Sequence, residues 1–431
     1  MFLNKSKKLN ARILLLVALA LVASLVLAAC GDPTATAPVA TTAAPAATTA
    51  AAPKPTTAAG ATTTAAGATT AAAGTTTASA ATTTAVATSA TGAATPPGGY
   101  TVKNTVTISG SGSSFINPPT QEWVKAFVGV NTTVKMSYSS VGSGAGRTSF
   151  FNGETDFAGT DAYPTQAEVD KYGKAIVTIP VTLGAVVLAY NLPGVTELKF
   201  SNEIIGGIYT GKITKWNDPK ITAENAGVTL PDSAITLAVR QDSSGTSDVF
   251  SKWLASVSPD FNTLAIAGSQ PAWEKGGITV VKGPQNDGVA GLVKQTVGGL
   301  GYMEAAYADA NKISYASVKN SAGNYVKATL EAISAAGAGG AVPDNLQIKV
   351  INSADPKAYP IAATSWIIFP KEIASKDKAD ALLRYVWWIT SDAAPLDISK
   401  KLGYAPLPAA VVTKLQATLL TVKSGGTPVL K

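Results

Sequence analysis

The sequence predicts an α/β protein of two lobes, and three observations carry that prediction. From residue 100 onward, stretches of strand-like alternation and stretches of helical spacing take turns, the order expected of helices layered on a sheet. The stretch 100–431 is longer than one hydrophobic core usually serves, so it supports two lobes, each with its own core. Three of the strand-to-helix corners are rich in Ser, Thr and Gly, a composition that lets backbone N–H groups face a ligand.

The chain begins with a segment that is not part of the fold. Residues 1–29 read as an export leader: Lys5, Lys7, Lys8 and Arg12 are followed by an apolar run over 13–26. Leu27-Ala28-Ala29-Cys30 is similar to a bacterial lipobox. That resemblance implies cleavage before Cys30 and attachment of a palmitate-type lipid to its sulfur. The rival, a transmembrane anchor, needs a longer apolar run. Of the formal charge of +7, four units belong to the leader, which leaves +3 on the remainder.

Residues 30–99 are expected to be a tether behind the lipidated cysteine. Beyond Cys30, Ala, Thr, Gly and Pro make up almost all of it, and Asp32 and Lys54 are its only charges. Such a segment buries too little apolar surface to offset its ordering entropy. As a flexible coil of about 69 residues it would span roughly 45–50 Å.

The folded part starts near Tyr100. Strand patterns fall at 102–109, 134–139 and 157–160, with helical patterns at 120–127 and 143–151 between them. A long apolar run over 176–190 reads as strand broken at Pro180. A helix is expected at 201–209, a strand at 234–239, a helix at 248–254, a helix at 288–296 and a strand at 300–303. The strand at 366–369 and the helix at 378–389 close the pass.

The chain is organised around Arg240-Gln241-Asp242-Ser243-Ser244-Gly245-Thr246-Ser247. It joins the strand at 234–239 to a helix whose apolar face is Val249, Phe250, Trp253 and Leu254. A helix start leaves N–H groups without partners at the positive end of the dipole. With hydroxyls and a guanidinium fork beside it, such a corner can hold an anion. The plain alternative is helix capping by Ser, Thr and Asp. Two more corners share the pattern: Ser109 to Phe115 after one strand, and Ser139 to Gly146 after another. Asp161 ends a third strand. In open α/β sheets ligands sit beyond the carboxyl ends of the strands, so these corners could converge on one small oxyanion.

Composition excludes much chemistry. The chain has no histidine and a single cysteine, Cys30. There is no internal disulfide, no thiolate metal site, no His-based triad and no His-built zinc site. No metal or other cofactor is expected. The lysines are scattered, so no nucleic-acid surface is expected either.

Gly110-Ser111-Gly112-Ser113-Ser114-Phe115, Gly142-Ser143-Gly144-Ala145-Gly146, Asp156 to Ala162, Gly211 to Asp218, Arg240 to Ser247, Asn286-Asp287-Gly288 and Gly299 to Tyr302 resemble, in order and spacing, the phosphate-binding proteins of bacterial phosphate ABC transporters. The resemblance implies a type II two-lobed periplasmic-binding-protein fold with phosphate in the cleft between lobes. It implies a non-enzymatic, monomeric receptor that delivers phosphate to permease subunits from outside the membrane. Lobe I would hold 100–183 and 355–431, and lobe II 184–354. Carried over by position, Ser114 and Phe115 would donate from the first corner, Phe115 through its N–H, and Ser143 from the second. Arg240 would fork onto phosphate with Asp242 orienting it; Ser244, Gly245 and Thr246 would donate at the third corner, and Asp161 would accept. Ser114, Ser243 and Ala145 depart from residues common in the family, with the hydroxyl retained at Ser114.

Asp161 carries the selectivity argument. An ionised carboxylate only accepts hydrogen bonds. Phosphate keeps a proton at neutral pH and sulfate does not, so a lone Asp facing the ligand pairs with one and repels the other. Three other readings compete: a phosphatase using a Ser near Ser244, a receptor for another oxyanion, and a wall-associated lipoprotein. The segment Lys215-Trp216-Asn217-Asp218 is either a permease contact or a turn with a packed Trp.

Overall fold

The computed structural model describes residues 94–431, which belong to one compact unit. The leader, Cys30 and the tether up to residue 93 lie outside the described residues. The chain runs β1 (Val106–Gly112), α1 (Asn117–Val130), β2 (Val134–Ser140), α2 (Ser143–Phe151), β3 (Phe157–Thr160), α3 (Gln166–Tyr172) and β4 (Ile176–Tyr190). There follow β5 (Lys199–Phe200), α4 (Asn202–Tyr209), α5 (Pro219–Glu224), β6 (Thr236–Arg240), α6 (Gly245–Val257), α7 (Pro259–Thr263), β7 (Val280–Gly283), α8 (Gln285–Gln295), β8 (Gly299–Glu304) and α9 (Ala305–Asn311). The last part holds β9 (Ser314–Tyr315), β10 (Ser317–Lys319), β11 (Tyr325–Val326), α10 (Leu330–Gly337), β12 (Ala362–Pro370), α11 (Lys376–Ser391), α12 (Ala393–Lys401) and α13 (Ala409–Leu419).

The main sheet has the order β2-β1-β3-β12-β4-β8-β6-β7, with β9 beside β4. Its two halves meet on one strand. β12 pairs antiparallel with β4 from Ile176 to Ala185, and β8 pairs with it from Val186 to Tyr190. β4 is buried along nearly its whole length, and so it reads as a continuous apolar run rather than an alternating one. Where the pairing changes hands, Val186 N–H donates to Ile361 O at 3.0 Å and Tyr359 OH to Val186 O at 3.0 Å. The two passages of the chain between the halves therefore lie side by side.

Pro180 does not break β4. The register slips there instead: Trp366 faces Pro180 while Ser365 faces Thr182. A bulge absorbs the missing proline N–H. β1 starts at Val106 rather than 102 and runs on through the Gly/Ser corner to Gly112. It stays extended because Ser109 to Gly112 pair in parallel with Ser137 to Ser140.

Aromatic packing fixes the helices against the sheet. In one half, Phe127 packs on Tyr385 at 5.3 Å and Trp388 at 5.6 Å, joining α1 to α11. In the other, Phe250 stacks on Tyr302 at 4.8 Å and Tyr209 meets Trp273 at 5.2 Å. The Phe250–Tyr302 stack clamps α6 to β8 and so sets the height at which α6 begins. Trp216 is fully buried and donates its Nε1–H to Gly298 O at 2.9 Å, which makes its segment a packed turn. The end of the tether is strapped to the fold. Trp387 Nε1–H donates to Ala94 O at 2.7 Å, and the Arg384 guanidinium donates to Pro97 O at 3.1 Å and to Gly99 O. Among the described residues no helix is long and apolar enough to cross a membrane.

Candidate functional site

β6 ends at Arg240 because the guanidinium is gathered inward. Nε donates to Asp242 Oδ1 at 2.9 Å and Nη2 to Oδ2 at 2.5 Å, a two-point ion pair whose arginine side chain is 1% exposed. Nη1 reaches Thr246 Oγ1 at 3.3 Å. Asp242 covers one edge of the fork, and the other donors face the start of α6. Burial works against the Asp242 carboxylate, but Arg240 and the Gln285 N–H outweigh it and hold its pKa below the ordinary aspartate value. Tyr302 supports the backbone: its OH accepts from Arg240 N–H at 3.2 Å and meets Ser247 Oγ at 2.7 Å.

At the start of α6, Ser244 takes the capping role. Its Oγ accepts from Ser247 N–H at 3.0 Å, and its own N–H donates to Ser269 O at 2.9 Å. The N–H groups of Gly245 and Thr246, first in the helix, have no acceptor among the described residues. Gly245 must be glycine on steric grounds: a Cβ there would lie 2.5 Å from both Asp161 Oδ2 and Ser143 Oγ.

Asp161 comes in from the other half of the sheet and is 3% exposed. Its Oδ2 accepts from Ser113 Oγ at 2.6 Å and Ser143 Oγ at 3.2 Å, and its Oδ1 from Ser365 Oγ at 2.6 Å. Burial raises its pKa, while the three hydroxyls and Arg240 pull the other way. Ser143 opens α2, and its Oγ also accepts from Asp161 N–H at 3.3 Å. At the first corner Ser114 Oγ accepts from Asn286 Nδ2 at 2.9 Å, and the same amide reaches Thr246 Oγ1 at 3.2 Å.

The structure thus brings the predicted residues together as two bonded sets, Ser143 with Asp161 and Arg240, Asp242, Thr246 and Ser114 through Asn286, with Gly245 packed against the first. Two expectations change. Ser244 gives its N–H to Ser269 O and accepts the capping bond on its Oγ, so its hydroxyl hydrogen alone remains to donate. Phe115 N–H is turned to Ser113 Oγ at 2.9 Å, because its ring is buried against Tyr404 at 6.2 Å, which directs the corner inward. Sequence reasoning did not assign roles to Ser113, Ser365 or Asn286. Ser113 and Asn286 lie inside motifs already singled out. Ser365 follows Thr364 in an otherwise apolar strand, and the β12–β3 pairing brings it to Asp161.

Amides at helix starts, a half-committed guanidinium and an acceptor-only carboxylate can hold a small oxyanion that carries a proton. Among the described residues no group of acidic side chains could hold a metal ion. Fold and site together define a two-lobed solute-binding protein, a class that binds and releases its ligand without converting it.

Comparison with known proteins agrees. The model of the PBP superfamily domain matches residues 35–393. The phosphate-binding protein PstS of Xylella fastidiosa strain Temecula1 is 33% identical over 75% of this chain and 87% of its own. The PstS of Pasteurella multocida is 33% identical over 74% of this chain and 91% of its own. The fold is similar to that of a high affinity periplasmic phosphate-binding protein (PfluDING) bound with phosphate, with a TM-score of 0.59, 21% identity, and coverage of 75% of this chain and 97% of that one. The chain belongs to the phosphate-binding protein family of substrate-binding proteins, whose members are not enzymes.

Proposed function

We propose that this protein captures inorganic phosphate outside the cell membrane and delivers it to the permease of an ABC transporter. One observation carries the reading: Asp161 and Ser143 from one half of the sheet meet Arg240, Gly245 and Thr246 from the other at a single buried spot. In this reading the free N–H groups and Arg240 grip the oxygens, and Asp161 accepts the proton that phosphate retains. The proposed ligand set is Ser114, Phe115, Ser143, Asp161, Arg240, Gly245 and Thr246, with Asp242 orienting Arg240 and Ser244 capping the helix that presents the others. Phe115 N–H would have to exchange Ser113 Oγ for the ligand.

The proposed lobes are 100–183 with 355–431, and 184–354. Their passages would be the adjacent strands around Val186 and Ile361. Phosphate binding both lobes would favour the closed form that the permease reads. Cys30 is proposed to carry a lipid, so that the monomer stays tied to the membrane by its Ala/Thr tether.

Isothermal calorimetry with phosphate and sulfate tests the central claim. Phosphate should bind at least about 10⁴ times more tightly, the discrimination available to a site that hydrogen-bonds one ligand and leaves its own group unpaired with the other. Equal affinities would remove Asp161 from its role, and no heat with either would remove the function. Mass analysis of the protein from a membrane fraction should find the leader gone and lipid on Cys30.

A further inference from the structure

β2 and β7 are the two ends of the main sheet's strand path, yet the residues just after them touch. The corner after β2 and the corners after β6 and β7 form a seam. Gln285, which follows β7, donates from Nε2 to Ser140 O at 3.0 Å, and its Oε1 accepts from Ser140 Oγ at 2.5 Å. Gly144 N–H donates to Ser243 O at 3.0 Å. The approach is close: a Cβ at Gly142 would lie 2.3 Å from Asp242 Oδ2.

Gln285 is also backbone-strained. Its φ is +56°, a left-handed value that a side chain with Cβ adopts only when its surroundings hold it there. What holds it is Asp242, whose Oδ1 accepts from Gln285 N–H at 3.0 Å. Asp242 is in turn fixed by two bonds from Arg240. A single chain of contacts therefore runs from the anion-facing arginine, through Asp242 and the left-handed backbone of Gln285, to Ser140 on the opposite half of the sheet.

We propose that Gln285 is the residue that couples an anion on Arg240 to closure of the seam, and so sets how long the ligand is held. The proposal rests on the phosphate reading for its ligand, but the seam itself has a readout without one. An anion that keeps Arg240 in place keeps Asp242 in place, and Asp242 aims the Gln285 amide at Ser140. The Gln285 amide lies outside the proposed ligand shell and acts on affinity only through closure.

The experiment compares the full protein with Gln285→Ala and Gln285→Gly by stopped-flow phosphate release, phosphate and sulfate calorimetry, and small-angle scattering without ligand. Both variants should bind phosphate roughly tenfold more weakly, the cost of one to two neutral hydrogen bonds, with the loss in the release rate. The phosphate-to-sulfate ratio should stay at the wild-type value, and both ligand-free variants should scatter as larger particles. Gln285→Gly relieves the left-handed strain without restoring the amide, so wild-type behaviour in that variant alone would show that backbone relief matters and the amide does not. Unchanged release and unchanged scattering in Gln285→Ala would overturn the proposal. If the wild-type protein binds no phosphate yet Gln285→Ala still expands the ligand-free particle, Gln285 still holds the seam and it is the phosphate reading that falls.

Discussion

Two carboxyl groups, Asp161 and Glu304, are both almost wholly buried, and they have been handled in opposite ways. Asp161 has a hydroxyl on each oxygen and two on one of them, with Arg240 nearby. Glu304 accepts from Ala306 N–H at 2.9 Å and meets Tyr404 OH at 2.7 Å, both on Oε2, while its Oε1 has no partner among the described residues. Tyr404 has one hydroxyl hydrogen and two oxygen neighbours, the second being Phe115 O at 2.5 Å. A proton on Glu304 resolves that conflict: Glu304 donates to Tyr404, and Tyr404 donates to Phe115. Burial drives the Glu304 pKa well up, the negative charges of Asp309 and Asp161 push the same way, and Tyr404 and Ala306 N–H oppose them only in part. For Asp161 the three hydroxyls and Arg240 offset part of the burial that raises its pKa, and in the proposed reading it accepts the proton that phosphate retains. The other carboxyl is left short of donors, burial carries its pKa well up, and through Tyr404 it links the halves of the sheet.

The largest expected effect is on Asp161. Asp161→Asn should lower the phosphate-over-sulfate ratio by about 10³-fold or more, because a site of this kind draws roughly 10⁴–10⁵ from one group left unpaired by the wrong ligand. Competition titration checks this, and a ratio unchanged in the variant would leave Asp161 no different in kind from Glu304. Next in size is Arg240→Ala. It removes the charged donor at the site and the partner that holds Asp242, and phosphate affinity should fall by about 10²–10³-fold, the scale of one to two charge-assisted bonds. Tight binding retained in that variant would take Arg240 out of the site.

Much of this was legible in the chain. The strand-to-helix corners at Ser114, Ser143 and Arg240 announce themselves through small and hydroxyl residues at the ends of apolar runs. The strong helices at α6 and α11 follow from their apolar spacing, and the folded structure only extends them to their caps at Ser244 and Ser375. α3 was missed although Thr165 and Glu168 form a capping box ahead of it, because none of its residues is buried and no apolar stripe marks it. The support of Asp161 by Ser365 was beyond sequence reasoning, since the two are brought together by strand pairing across 204 positions. The burial of Glu304 was equally hidden. Nothing in Tyr302-Met303-Glu304-Ala305 says that the glutamate faces inward.

A smaller effect separates the two carboxyls by pH. A group whose folded pKa is raised contributes stability that is complete below its unfolded value and is lost as pH climbs through the folded one. For Glu304 the loss should begin above the ordinary glutamate range, about 4.3, and proceed by up to about 1.4 kcal/mol per pH unit until the folded pKa is passed. Glu304→Gln keeps a neutral side chain of the same shape, so its denaturation free energy should lack this slope while staying near the wild-type value at low pH. Chemical denaturation between mildly acidic and mildly alkaline pH reads both. A variant with the wild-type slope would mean that Glu304 is ionised and that the comparison fails.

The smallest expected effect falls on the supports of Asp161. Ser365→Ala removes the hydroxyl on Asp161 Oδ1, the only one there among the described residues, and leaves Ser113 and Ser143 on Oδ2. Stability should fall by about 0.5–1.5 kcal/mol, the usual net worth of one hydrogen bond, and phosphate affinity at neutral pH should change only a few-fold. The telling readout is the acid limb of binding. Ser365 lowers the pKa of Asp161 against the pull of burial, so its loss should raise that pKa, and phosphate binding should begin to fail at a higher pH than in the wild type. The ligand titrates identically in both experiments, so a shift between the two curves belongs to the protein. If the curves coincide, the hydroxyls do not hold Asp161 in its charged state, and its difference from Glu304 must come from Arg240 alone.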